Sequence, residues 1–257
     1  MSIIVFASLA APLIAPYDPL QMHAAQRFSG PTSSFWLGTD ETGRDLLTRI
    51  LFGARVSVLV GVGAVAISFL VGVPLGMLAG YRRGRTESLI MGATDVMLAV
   101  PGLLLALTLV ATLGPSTVNA TIAIGCMGVP SVARLTRAVV MIERARDYVL
   151  SARAIGATDV RIVVFNVLPN CIAPLIIQAS LTMASAILIE AALSYVGLGV
   201  QPPWASLGSL LYTAYGYVSR SGWYVAFPGL TIFLTVWSLN MLGDGLRDVL
   251  DPRLRGL

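Results

Sequence analysis

The chain has 257 residues, of which 56% are apolar and only 12% charged. A soluble domain carries roughly 25% charged residues, so a mean hydropathy of +0.81 argues for an integral membrane protein and against a soluble enzyme, a disordered chain or a disulfide-rich secreted module. The net charge is +4 and all 17 basic residues are arginine, which removes the lysine of a phosphate-binding G-x-x-x-x-G-K-[ST] loop and any Schiff-base lysine. The arginines fall mostly between apolar runs rather than as a patch on a polar chain, which fits membrane topology and not nucleic-acid binding.

About six apolar runs approach the roughly 20 residues that a membrane crossing needs. The first, Ser2–Ala15, is short, contains Pro12 and has no basic flank before it. A cleaved signal peptide would show a positive leader and a small-residue cleavage site. A true first helix whose N-terminal lead is missing or unusually short is therefore expected. Residues 16–53 follow as a polar outer segment, in which Asp40, Glu41, Arg44, Asp45 and Arg49 read as a solvated, helix-paired face or, more sharply, a docking surface. His23 reads as an exposed loop residue, and a lone histidine excludes His-pair metal motifs. The second span runs over Ala54–Ala79, where Gly72 and Gly76 form a small-x-x-x-small packing pair. The third is Ser88–Leu113, with Asp95 near its inner end. The fourth, Val118–Ile142, completes residues 54–142. Then comes a long loop, residues 143–159. The fifth span, Val160–Ala192, holds Pro169 and Pro174 and carries Glu190 near its outer end; an acid at that depth is a functional candidate by default. An outer loop, residues 193–222, contains Gln201–Trp204. The last span, Trp223–Leu242, leads into a tail ending at residue 257. Cys126 and Cys171 sit in apolar runs and read as free thiols.

Placing the N-terminus inside puts twelve of the 17 arginines on inner segments and five on outer ones. That excess favours both termini on the inner side.

The loop at residues 143–159 is the most informative stretch. Asp147 is placed to cap a short helix, on which Tyr148, Ala152 and Ile155 share a face. Gly156 is placed to end that helix in a left-handed conformation, and Thr158 or Asp159 to cap the next. An amphipathic helix so displayed suits a groove on a partner; its arginines suit a lipid surface equally.

Leu150–Gly156, followed by Leu168 and Pro169, resembles the coupling-loop motif of ABC importer permeases, E-A-A-x-x-x-G, nine residues, I-x-L-P. Ala152, Gly156, Leu168 and Pro169 match in register, whereas Leu150, Ser151 and Asn166 depart from it. Phe35–Asp45 with Gly53–Ser57, Leu193–Pro203 and Leu242–Arg255 also resemble the dipeptide, oligopeptide and nickel permease family, in its order, and most closely its C-type subunit. The resemblance implies one all-α, methionine-permease-like transmembrane domain with about six spans and a cytoplasmic coupling helix, in a bacterial inner membrane. It implies a homologous B-type permease, a pair of cytoplasmic ATPase subunits and an extracytoplasmic binding protein as partners, besides membrane lipid. Tyr148, Val149, Leu150, Ser151, Ala152, Arg153, Ile155, Gly156, Ala157 and Thr158 would then dock on an ATPase. The chain itself would hold no cofactor and catalyse nothing; ATP and magnesium would bind the ATPases. Short peptides are the expected cargo, with nickel or another small solute the alternative, and Glu190 a candidate on the pathway. A secondary transporter would want intramembrane ionisable groups and internal repeats. A membrane enzyme would want a metal cluster or an activated nucleophile. The few acids and the family-like coupling loop argue against the first, and for the second neither constellation is visible.

Overall fold

The computed structural model describes residues 6–8 and 10–250. Among these there is no β-strand, only an isolated bridge between Thr39 and Asp45. A single turn, α1 (Ala11–Ile14), precedes an irregular stretch and then α2 (Leu46–Arg82), α3 (Arg85–Ala99), α4 (Gly102–Leu113) and α5 (Thr117–Glu143). The short α6 (Asp147–Ala154), α7 (Asp159–Tyr195), α8 (Leu207–Tyr215) and α9 (Gly222–Leu250) complete the chain. Helices α2, α5, α7 and α9 are four segments long and apolar enough to cross a membrane, or five with the pair α3–α4 counted as one span. The expected first span, Ser2–Ala15, falls partly outside the described residues.

Helix α2 is the frame. The Asp45 carboxylate caps it, accepting from the Thr48 amide at 2.8 Å and the Thr48 hydroxyl at 2.7 Å, which satisfies one of the free N–H groups at a helix start. Its 37 residues correspond to about 55 Å at 1.5 Å per residue, against a hydrocarbon core of about 30 Å. The expected span Ala54–Ala79 is thus its middle. The Gly72–Gly76 pair packs within the bundle, against α5: a Cβ at Gly76 would lie 2.5 Å from both the Ala133 carbonyl oxygen and Thr136 Cβ. Only glycine allows that approach.

The expected third span is not one straight helix. Helices α3 and α4 meet at an angle of 87°. Pro101 has no N–H and pushes the residue before it out of the helical region; Val100 accordingly sits at φ −87°, ψ 129°. A second proline, Pro169, acts more gently. Between Ile162 and Val167 the backbone of α7 widens to a π register, with the Leu168 amide donating to Val163. Pro169 follows directly, in the first turn of the resumed α register. Helix α8 lies within what reads as an outer loop, and a reciprocal Ser206–Ser209 capping box starts it.

Apolar clusters hold the two ends of the bundle. At the start of α2, Leu46, Ile50 and Ala54 pack with Leu207, Leu210 and Tyr224. At its finish, Met77 and Tyr81 pack with Val140, Val149, Ile162 and Cys171. The second cluster reaches α6 and seats it through Val149, which is fully buried.

The charged segment before α2 is not the solvated face expected of it. Asp40, Arg44, Asp45 and Arg49 are all buried. The segment folds back on itself, the Phe28 amide donating to Asp40 and the Asp40 amide to Arg44. The Asp40 carboxylate then accepts from the Thr42 amide and hydroxyl at 2.8 Å, the Arg44 amide at 2.9 Å, Arg44 Nε at 2.6 Å and Arg49 Nη1 at 2.8 Å. Arg44 also pairs with Glu41 at 2.9 Å, and the other Glu41 oxygen accepts from the Tyr224 hydroxyl. Burial opposes ionisation of Asp40, but Arg49, the Arg44 amide, Thr42 and Arg44 outweigh it and hold the carboxyl below its ordinary value. His23 is not a free loop residue either. Its ring packs edge-on against Tyr17 at 5.6 Å and Phe35 at 5.3 Å.

Candidate functional site

Helix α6 and the turn after it display apolar residues at the surface. The buried stripe of α6 runs through Val149 and partly buried Ala152. It does not run through the face of Tyr148, Ala152 and Ile155 as a unit. Tyr148 and Leu150 point outward, and Ile155 is 85% exposed. Ser151, Arg153, Gly156 and Thr158 are also exposed, and Ala157 is half-buried.

The helix ends as the sequence indicates. Gly156 has φ +84°. Its amide donates to Arg153 at 3.0 Å and the Ala157 amide to Ala152 at 3.1 Å, the paired bonds of a Schellman turn. The helix starts differently. Arg146 occupies the cap position with no side-chain cap bond, and Asp147 is the first helical residue. There its charge still meets the positive end of the helix dipole. Thr158 precedes α7 without a capping bond from its side chain, and Asp159 is engaged elsewhere.

Tyr148 is fixed at its hydroxyl, which donates to Glu143 at 2.8 Å and accepts from Asn170 at 3.3 Å. Burial, and then the hydrogen bond donated to the Glu143 carboxylate, push the phenol up to about 12. A groove of about 810 Å³ opens between α6 and the start of α7, lined in part by Ala152, Ile155, Thr158, Val160 and Phe165. Phe165 is 73% exposed and Val160 74%. The apolar display therefore continues past Gly156, which the short motif alone does not reveal.

Tyr81, at the finish of α2, is a residue that sequence reasoning passes over. Its hydroxyl donates to Asp159 at 2.8 Å and accepts from Arg153 at 3.1 Å. The hydrogen bond to Tyr81 holds the Arg153 guanidinium above its ordinary value. The only signal in the sequence is an aromatic residue at the end of an apolar run, the usual mark of a membrane interface.

Glu190 lies at the other end of the bundle and is 1% exposed. Its two oxygens accept from Ser57 of α2 at 2.6 Å and Ser194 at 2.7 Å. The Ser194 oxygen in turn accepts from the Val200 amide at 3.3 Å. In this state Glu190 ties α7, α2 and the following loop together. Asp95 pairs with Arg134 of α5, and Glu87 with Arg137, where Arg137 Nε donates at 2.7 Å. Among the described residues no cluster of His, Cys, Asp or Glu is built to hold a metal ion.

Residues 72–256 match a family described as the binding-protein-dependent transport system inner membrane component. Over 261 residues the chain is 50% identical to the di/tripeptide transport system permease protein DppC of Pseudomonas aeruginosa, covering 99% of this chain and 86% of that one. The dipeptide transport system permease protein DppC of Escherichia coli is 46% identical, over 98% of this chain and 86% of its own length. Among solved structures, the MetNI methionine ABC transporter in an inward facing conformation aligns with a TM-score of 0.68, at 18% identity, over 80% of this chain and 98% of that one. An amino acid ABC transporter aligns at 0.55 with 14% identity, over 82% and 94%. At such identities the likeness carries the fold. The span pattern, that fold and the extent of the match agree, and the chain belongs to the binding-protein-dependent inner membrane components, the permease subunits of ABC importers.

Proposed function

We propose that this chain forms half of the membrane pathway for short peptides, the other half coming from a homologous B-type permease. A pair of cytoplasmic ATPase subunits binds ATP and magnesium below it, and an extracytoplasmic protein delivers the cargo. The carrying observation is α6. Val149 anchors it, Gly156 ends it, and Leu150 and Ile155 are turned away from the chain's own core. Residues 148–158 dock on an ATPase, whose closure on ATP displaces them and tilts the attached spans. The arginine excess supports a cytoplasmic position for this end and for both termini. Peptide as cargo is supported by the transport systems for which the relatives are named. Glu190 meets cargo only if its bonds to Ser57 and Ser194 open during the cycle.

The cargo reading is tested in cells lacking this chain but retaining its partners. Reintroducing the chain restores uptake of a labelled dipeptide, and excess unlabelled dipeptide competes while nickel does not. Restored nickel uptake without peptide uptake moves the cargo to the metal and leaves the importer architecture standing.

A further inference from the structure

Three parts of the coupling segment converge on one side chain of α2. Arg144, before α6, donates from Nη1 to the Tyr81 carbonyl at 2.5 Å, with its guanidinium 5.4 Å from the ring centroid. Arg153, within α6, lies 5.8 Å from the same centroid and donates to the hydroxyl. Asp159, at the start of α7, accepts a hydrogen bond from the hydroxyl at 2.8 Å. The ring itself is 6% exposed and packs with Val149 and Ile162 in the cluster that seats α6. A cation over a ring face and a charge-assisted hydrogen bond are both directional. The segment therefore cannot shift without moving Tyr81 or breaking these contacts. Tyr81 lies on the helix that carries Ser57, the partner of Glu190, at the opposite end of the bundle.

We propose that Tyr81 is the positioning residue through which displacement of α6 reaches α2 and, along that helix, the Ser57–Glu190 contact at the far end. The inference rests on the coupling role of residues 148–158 proposed above. It assigns the transmission to one aromatic residue outside that segment. The hydroxyl closes the bonds to Asp159 and Arg153, and the ring holds the two guanidinium groups.

The test uses the complete assembly with its ATPases in proteoliposomes, with ATP hydrolysis and peptide import measured together. Tyr81→Phe keeps the ring and loses both hydroxyl bonds, so ATP consumed per peptide imported rises about threefold at unchanged assembly. Tyr81→Ala loses the ring as well and raises the ratio about tenfold or more. Asp159→Ala removes the Asp159 bond alone and gives a smaller rise, and the double variant is no worse than Tyr81→Phe, because the phenylalanine already lacks that bond. If Tyr81→Ala fails to assemble, the phenylalanine variant and the double-variant comparison decide. A lower melting temperature with an unchanged ratio in Tyr81→Phe assigns the residue to stability and overturns the proposal. Gly156→Asp, run alongside, separates the two readings. If it uncouples and Tyr81→Phe does not, the Tyr81 inference fails alone. If neither uncouples, the coupling reading falls as well.

Discussion

Gly156→Asp severely lowers transport while the chain itself stays folded. The residue has φ +84°, and a Cβ built there meets nothing within 4 Å. The substitution therefore creates no clash inside the chain. Its intrinsic cost is the left-handed backbone, about 1–2 kcal/mol for an ordinary residue and less for Asp, which visits that region more readily. So small a cost does not unfold a bundle anchored by Val149 and its neighbours. What changes is the surface: a carboxylate appears beside Ile155, which is 85% exposed, in the segment assigned to the ATPase cleft. A charge buried at such a contact without a partner costs several kcal/mol, and uptake falls more than about tenfold at equal membrane abundance. Gly156→Asn separates the causes. It tolerates the same backbone, adds no charge and keeps most of the uptake. Equal uptake by wild type and the Asp variant contradicts the coupling assignment.

Asp40→Asn has the largest expected effect on stability. Asp40 is 0% exposed and faces both Arg44 and Arg49. Asparagine can still accept from the Thr42 and Arg44 amides, but its NH2 group meets guanidinium donors, and two buried cations lose their shared anion. Removing one partner of a buried ion pair costs about 3–5 kcal/mol. Glu41 still faces Arg44, which places the expected loss near 3 kcal/mol, or on the order of 10 °C in melting temperature for a chain of this size. The pH dependence has a definite sign. The folded carboxyl titrates below its ordinary value of 3.8. Its stabilisation is complete above that pH and disappears as pH falls through the folded value. Asp40→Asn lacks this acid limb. Thermal melts at neutral pH and near pH 3 check both points, and a variant melting within about 2 °C of wild type at neutral pH contradicts the network's importance.

Much of the bundle is visible in the sequence because bilayer physics writes it locally. A run of apolar residues is a span, a Gly72–Gly76 spacing is a close helix contact, and a glycine after an amphipathic stretch is a helix stop. The features that escape are those whose meaning depends on distant partners. The charges around Asp40 resemble a solvated face until the segment folds back on α2. Glu190 stands out as an acid at membrane depth, yet its partner Ser57 is 133 residues away. Tyr81 becomes a junction only when Arg144, Arg153 and Asp159 are brought to it. Pro101 is different. It is plainly visible, but membrane helices often absorb a proline as a kink, and only the backbone of Val100 makes it a near right-angle break. The start of α6 is missed for a simpler reason: Asp147 suits both a cap and a first helical turn, and the chain uses it as the second.

The central claim is that residues 148–158 touch an ATPase. The direct measurement is cross-linking from Ile155→Cys in the purified assembly, with Cys126 and Cys171 replaced so that the new thiol is alone. Leu13→Cys serves as the control, since Leu13 is 88% exposed and lies in α1, outside the proposed coupling segment. The account predicts that Ile155→Cys joins this chain to an ATPase subunit, with a yield that changes when ATP is added, and that Leu13→Cys does not. An assembly that hydrolyses ATP while Ile155→Cys reacts only with a lipid-soluble thiol reagent contradicts it, and makes α6 a helix that lies on the membrane.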